Sequence, residues 1–250
     1  MENTKILGGK WQLNKSEKIG EGCVYRGKNV STNDPVAIKE VKVTPAEKDE
    51  VLEEIKALKT ISETNHPNIL KMLDFVVEGN FIYLVLELCE GGNLKQKLAT
   101  TTYSEKDALA LARKVAEGLS ALHTLGIPHR AIKAENILFK NGEPKISEFT
   151  LSLPEAATTK KSMGHLPPEH YNGSEVTGQF DIWGFGVLLH QILFKSHPCG
   201  DPSKMNVLLA FITKDPYKLS AGDRANIGNS TFDLLQKCFV KNAAQRITIA

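Results

Sequence analysis

Short runs of β-branched and aromatic residues dominate positions 11–88: Val24-Tyr25, Val36-Ala37-Ile38-Lys39, and residues 81–86 after the turn signal Glu78-Gly79-Asn80. One helical period interrupts these strands. Across residues 48–61, Val51, Ile55, Leu58 and Ile61 fall on one face with charges opposite, as an amphipathic helix requires. After Gly91-Gly92 the pattern turns mostly helical. Ser104 followed by Asp107 marks a helix start, and Leu109, Ala112, Val115, Ala116, Leu119 and Leu122 then keep the 3.6-residue period. Asn141-Gly142 predicts a two-residue hairpin between Ile137-Leu138-Phe139 and Lys145-Ile146, with the second strand running on into Glu148-Phe149-Thr150. Residues 181–193 are almost all apolar and predict a helix buried on every side, while 230–239 predict an amphipathic helix with Phe232, Leu235 and Phe239 inward. These elements add up to an α+β chain. A small β-rich lobe with one helix joins, near Cys89, a larger and mainly helical lobe.

Composition narrows the classes of function. Thirty-one basic residues against 29 acidic give a net charge of +2 over 250 residues, so bulk electrostatics offers no attraction to nucleic acid or to a membrane surface. Cys23, Cys89, Cys199 and Cys238 lie far apart without Cys-x-x-Cys spacing, which suggests neither a zinc site nor a disulfide framework. The N-terminus has no apolar run of signal-peptide type, and residues 81–86 are too few to span a bilayer. A soluble, cytoplasmic protein with reduced cysteines is the expectation.

Six motifs follow one another in an order that carries chemistry. Val36-Ala37-Ile38-Lys39 ends a strand on a lysine, and Glu54 lies in the helix that follows. His129-Arg130-Ala131-Ile132-Lys133-Ala134-Glu135-Asn136 precedes the hairpin, Glu148-Phe149-Thr150 follows it, and Pro167-Pro168-Glu169 and Asp181-Ile182-Trp183-Gly184-Phe185-Gly186 come after. This succession resembles the eukaryotic protein kinases along nearly the whole chain. The resemblance implies a bilobal kinase-like domain over 1–250: a small lobe over about 11–88, a hinge over about 87–92 and a large lobe over about 93–250. It implies that Lys39 pairs with Glu54 behind the phosphates, that Val24, Ala37 and Leu138 enclose the adenine, and that the Glu87 and Cys89 backbone supplies hinge hydrogen bonds. Leu58, Met72, Phe149 and His129 would stack as an internal column on Asp181, and Glu169 and Arg246 would form a buried ion pair. Lys133 resembles the serine/threonine branch.

Several positions depart from what phosphoryl transfer needs. The reaction depends on holding ATP, magnesium and a hydroxyl in line while charge is neutralised. Ala131 stands where the family has the aspartate that receives the hydroxyl proton, and alanine accepts none. Glu148 replaces the aspartate that holds magnesium, which demands near-octahedral geometry and tolerates an extra methylene poorly. Thr150 replaces a mobile glycine. Ile19-Gly20-Glu21-Gly22-Cys23-Val24 lacks the third glycine and is about three residues short, so Gly20 and Gly22 suit a turn better than a cover for a triphosphate. The segment before Glu169 is short, and Thr158, Thr159 and Ser162 read either as a solvated loop or as phosphoacceptors for Arg130.

The resulting expectation is a pseudokinase, a scaffold or allosteric switch with weak or absent ATP binding, little phosphotransfer and no magnesium requirement. Lys39, Glu54, Lys133 and Asn136 are retained, Ala131 and Glu148 are degenerate, and Asn136 with Glu148 would be the weak metal ligands. Lys39 and Glu54 make either a structural ion pair or the remnant of a phosphate site. Gly20, Gly22, Val24, Ala37, Lys39, Glu87, Cys89 and Leu138 would line any nucleotide slot. Partners are expected to be proteins, an active kinase among them, and neither nucleic acid nor membrane. The alternative is an active but slow ATP-dependent Ser/Thr protein kinase.

Overall fold

A computed structural model describes residues 3–20, 22–147 and 163–249, apart from the side chain of Ala57. Glu21, Glu148, Phe149, Thr150, Thr158, Thr159 and Ser162 lie outside the described residues. The chain packs into two compact units, one holding residues up to 91 together with 139–143, the other holding most of the remainder.

The first unit is built on a six-stranded antiparallel sheet. Strands β1 (Thr4–Leu7), β2 (Trp11–Lys18), β3 (Val24–Asn29), β4 (Pro35–Lys42), β5 (Met72–Glu78) and β6 (Phe81–Glu87) run in the order β1-β2-β3-β4-β6-β5. Successive side chains of a strand point to opposite faces, and β6 feeds two cores in this way. Ile82 and Leu84 join Val41, Val51, Ile55 and Met72 against helix α1 (Lys48–Glu63), with Leu58 at the margin. Tyr83 and Val85 join Leu7, Trp11, Leu13 and Ile38 on the other side. A strand buried on both faces needs an unbroken apolar run, which is why 81–86 does not alternate.

Strand β1 precedes the point at which the sequence reading begins the small lobe. Only Leu7 of its four residues is buried, too weak a pattern to read as a strand. Gly8 and Gly9, at φ +55° and +68°, turn the chain back onto β2, and Lys5 Nζ reaches Glu78 at 2.6 Å and the Tyr83 hydroxyl at 3.2 Å.

The second unit contains α2 (Leu94–Thr100), α3 (Glu105–Thr124), α4 (Pro168–Asn172), α5 (Gly178–Phe194), α6 (Met205–Thr213), α7 (Ala221–Ala225) and α8 (Asn229–Cys238). Ser104 caps α3 by accepting from the Asp107 amide, as its position predicts. The buried face of α3 begins at Ala108 and Leu111, whereas Leu109 and Ala116 are half-buried, so the apolar frame starts one residue earlier than expected. Helix α5 is buried from Phe180 through His190, with Trp183 fully enclosed. A Cβ on Gly186 would fall 2.7 Å from the Cys238 Cβ, so the glycine permits the close approach of α8. On α8 the buried residues are Thr231, Leu235 and Cys238, followed by Phe239. Phe232 is only half-buried, a departure from the expected inward face, and lies under the Arg224 guanidinium at 4.8 Å.

The β7 (Ile137–Lys140) and β8 (Glu143–Ile146) hairpin turns on Asn141 and Gly142, both at positive φ. Its second strand is formed through Ile146, the Ser147 amide and hydroxyl then bond the Asn136 carbonyl in the same register, and the expected continuation into Glu148-Phe149-Thr150 lies outside the described residues. Residues 139–143 pack with the first unit, through Gly91 N to Phe139 O and Lys140 to Glu87, although the sequence reading places them in the large lobe. Among the described residues no helix is long and apolar enough to cross a membrane.

Candidate functional site

The candidate loop lies in the second unit, and one buried carboxylate holds it. Asp181 on α5 is 1% exposed and accepts from the His129 amide at 2.7 Å and the Arg130 amide at 2.6 Å. His123 at the end of α3 adds a contact of 2.8 Å to the same carboxylate. Three such contacts satisfy a charge that burial would otherwise penalise heavily. The chain there turns sharply, with Arg130 at φ +67°. A non-glycine residue accepts that conformation only where its surroundings impose it. The Ile132 carbonyl oxygen would lie 3.1 Å from a Cβ on Gly184, so α5 supports the loop from below at a glycine.

His129 is buried and carries the next links. Its Nε2 lies 3.0 Å from the Ser147 carbonyl and its Nδ1 accepts from the Ala131 amide at 3.3 Å. The first contact needs hydrogen on Nε2 and the second a lone pair on Nδ1, which fixes one neutral tautomer. Ala131 is half-buried, and its carbonyl accepts from Asn136 Nδ2 at 2.8 Å. Asn136 is 1% exposed, and its Oδ1 has no hydrogen-bond partner among the described residues. Lys133 is half-buried, and Leu138 forms an antiparallel bridge with Asn93. Glu135 bonds Lys95 of α2 at 2.9 Å. Burial alone would raise the Glu135 carboxyl, but the Lys95 ammonium and a backbone hydrogen bond together outweigh it and the pKa lies below the ordinary value.

The orphaned Asn136 Oδ1 tests the magnesium that kinase chemistry would use. Its amide nitrogen is anchored, so the oxygen is aimed and hard enough to take one coordination position. Among the described residues no group of three or more His, Cys, Asp or Glu side chains could hold a metal, and Glu148 lies outside them.

The other expected site residues belong to the first unit. Lys39 is half-buried on β4, opposite Val24 of β3 and Leu84 of β6, and Glu54 is half-buried on α1. Ala37 is buried beside them on β4, and Cys89 is half-buried after β6. The Glu87 amide donates to the Lys71 carbonyl at 3.0 Å, while the Glu87 carboxylate accepts from the Lys71 amide and from Lys140. Gly20 and Gly22 stand at φ +74° and +76° in the five residues that join β2 to β3. A Cβ at either would meet nothing within 4 Å, so turn conformation rather than crowding explains both glycines.

Further along, Glu169 on α4 and Arg246 are buried and joined at 2.6 and 2.9 Å in a two-pronged ion pair, the pair that the resemblance implies. Arg246 also donates to the Gln179 and Val240 carbonyls.

The family profile described as Protein kinase domain matches residues 13–250. The chain belongs to the protein kinase family. It is 30% identical to the calcium/calmodulin-dependent protein kinase type I of Schizosaccharomyces pombe, over 89% of this chain and 70% of that protein. It is 32% identical to the Aurora/IPL1-related protein kinase 2 of Caenorhabditis elegans, over 78% and 68% respectively. It is also 34% identical to the calcium/calmodulin-dependent protein kinase type 1 of Caenorhabditis briggsae, over 80% and 58%. The chain thus spans 58% to 70% of the length of these relatives.

Within the kinase domain, sequence reading places Ala131, Lys133 and Asn136 on one loop but misses three groups that hold that loop. His123, Ser147 and Lys95 touch it through Asp181, His129 and Glu135 in turn. Only the register of α3, with His123 in its last turn, offered a signal for any of them.

Proposed function

We propose that this kinase-family domain acts as a pseudokinase, a scaffold or allosteric switch for protein partners, with weak or absent ATP binding and little phosphotransfer. Ala131 carries the reading. Its backbone is held from both sides by His129 and Asn136, so the loop is formed, yet the methyl group offers no proton acceptor. General-base assistance contributes about 10²–10⁴ in rate, a loss of roughly 3–5 kcal/mol of transition-state stabilisation. The five-residue β2–β3 connection and the Glu148-Phe149-Thr150 sequence point the same way. In this reading magnesium is not required, an active kinase is among the partners, the setting is cytoplasmic, and nucleic acid and membrane are not bound.

One observation favours a second reading, a slow ATP-dependent Ser/Thr kinase of the activity named for the relatives. Asn136 Oδ1 is aimed and without a partner among the described residues, and Lys39, Glu54 and Lys133 are retained. Thermal-shift titration with ATP, with and without magnesium or manganese, separates the two. A nucleotide held at 100 times its Kd would stabilise the fold by about 2.7 kcal/mol. Metal-dependent stabilisation of that size, with peptide labelling that Lys39→Met abolishes, would overturn the pseudokinase reading. No shift and no labelling support it.

A further inference from the structure

The chain contains two Asn-Gly steps, Asn141-Gly142 and Asn172-Gly173. Such a step rearranges without an enzyme. The glycine backbone nitrogen attacks the asparagine Cγ, a C–N bond forms as that nitrogen gives its proton to water, and the side-chain nitrogen leaves as ammonia. Water then opens the cyclic imide at either carbonyl, giving aspartate or isoaspartate. Glycine favours the attack because no Cβ shields its nitrogen and its backbone turns freely. Neither glycine is crowded here, since a Cβ on either would meet nothing within 4 Å, so hydrogen bonding rather than space distinguishes the two steps.

Asn172 is tied down. It is the last residue of α4, and the Gly173 amide closes that helix by donating to the Glu169 carbonyl. Its Oδ1 accepts from the Ser174 amide at 3.1 Å and from the Ser174 hydroxyl at 2.6 Å. The nucleophile is thus held in a helix-closing bond, and its target is turned forward onto Ser174. Asn141 is under no such restraint. It is exposed at the tip of the β7–β8 hairpin at φ +52°, with Gly142 following at φ +83°. Among the described residues the Gly142 amide donates to no carbonyl, and the Asn141 side chain makes no hydrogen bond. Each strand of this hairpin has four residues, so distorting its tip toward the reactive geometry costs little.

We propose that Asn141 is a site of spontaneous deamidation and isoaspartate formation in the folded protein, and that the fold protects Asn172 from the same reaction. The product sets a new carboxylate between Lys140, whose ammonium holds Glu87, and Glu143. Isoaspartate also lengthens the backbone of a two-residue turn, and turn length fixes the register of a hairpin. The inference goes beyond the pseudokinase reading and holds whether or not the chain transfers phosphate.

The test ages the intact chain in mildly alkaline buffer, once folded and once in guanidinium chloride. Peptide mass spectrometry follows amide-to-acid conversion at both positions, and an isoaspartate O-methyltransferase counts isoaspartate by methyl incorporation. In the folded chain Asn141 should convert about tenfold faster than Asn172, the effect of roughly one protecting hydrogen bond. In the unfolded chain the two rates should be closely similar. Asn141→Gly, which keeps the positive φ of the turn, should remove most of the methyl incorporation. The proposal fails if Asn172 converts as fast as Asn141 in the folded chain, or if Asn141 converts only in the unfolded one. It also fails if the ratio is unchanged by unfolding, since sequence rather than fold would then decide, or if methyl incorporation survives Asn141→Gly.

Discussion

Asn136 donates its side-chain amide to the carbonyl oxygen of Ala131 at 2.8 Å, so the two positions of the loop are tied side chain to backbone. The bond uses the Ala131 carbonyl and is indifferent to its side chain. A loop formed in this way does not depend on which side chain stands at position 131.

Ala131→Asp should therefore fold as the parent does, within about 0.5 kcal/mol by urea unfolding. Its transfer of radioactive phosphate to a generic peptide should stay at background, because Glu148 and the short glycine turn remain. Turnover of about 1–100 s⁻¹ from this single change would show that Ala131 was the only missing part.

Asp181 makes a stronger demand on the fold. Alanine there leaves the His129 and Arg130 amides and His123 without their acceptor in a buried place. The expected loss is about 3–5 kcal/mol, and Asp181→Asn, which keeps one acceptor oxygen, should lose less. Equal losses for the two would mean that only packing matters at this position.

The Glu169–Arg246 pair should behave non-additively. Glu169→Ala strands a buried guanidinium and should cost about 3–5 kcal/mol, whereas Glu169→Leu with Arg246→Met should recover most of that. Denaturant unfolding of the two single variants and the double closes the cycle. An additive double would mean that the ion pair has no coupling energy.

Acid should weaken the second unit through its buried histidines. Burial, together with the nearby His197, lowers His165 and His190 to about 4. His190 lies between the Tyr217 and Ser196 hydroxyls, and His165 Nδ1 has no partner among the described residues. The unfolded chain takes up these protons near pH 6.5 and the folded chain only near 4, so stability falls as pH drops through that window and is unaffected above it. His165→Phe should remove up to about 3 kcal/mol of that loss, measured by urea unfolding at pH 7.5, 5.5 and 4.5. An unchanged slope would mean that His165 protonates freely in the folded state.

The hairpin that precedes the expected lobe also matters for stability. Leu7 is fully buried among Trp11, Leu13 and Tyr83, so Leu7→Ala should cost about 2–5 kcal/mol. A loss under about 0.5 kcal/mol would show that β1 is dispensable.

Local pattern determined the elements whose partners are close in the chain. The periods of α1 and α3, the Ser104 cap and the Asn141-Gly142 turn rest on interactions within a few residues, which side-chain spacing dictates. The motif succession further identified the loop around Ala131 and the Glu169–Arg246 pair, although those two residues stand 77 positions apart. Tertiary structure alone decided the rest. Strand β1 shows three exposed residues out of four, and its place depends on Lys5 and Leu7 meeting β5 and β6 more than 70 residues away. His123 joins Asp181 across 58 residues. Such contacts are set by how whole elements pack and by which buried charge needs a donor, and no local propensity encodes either.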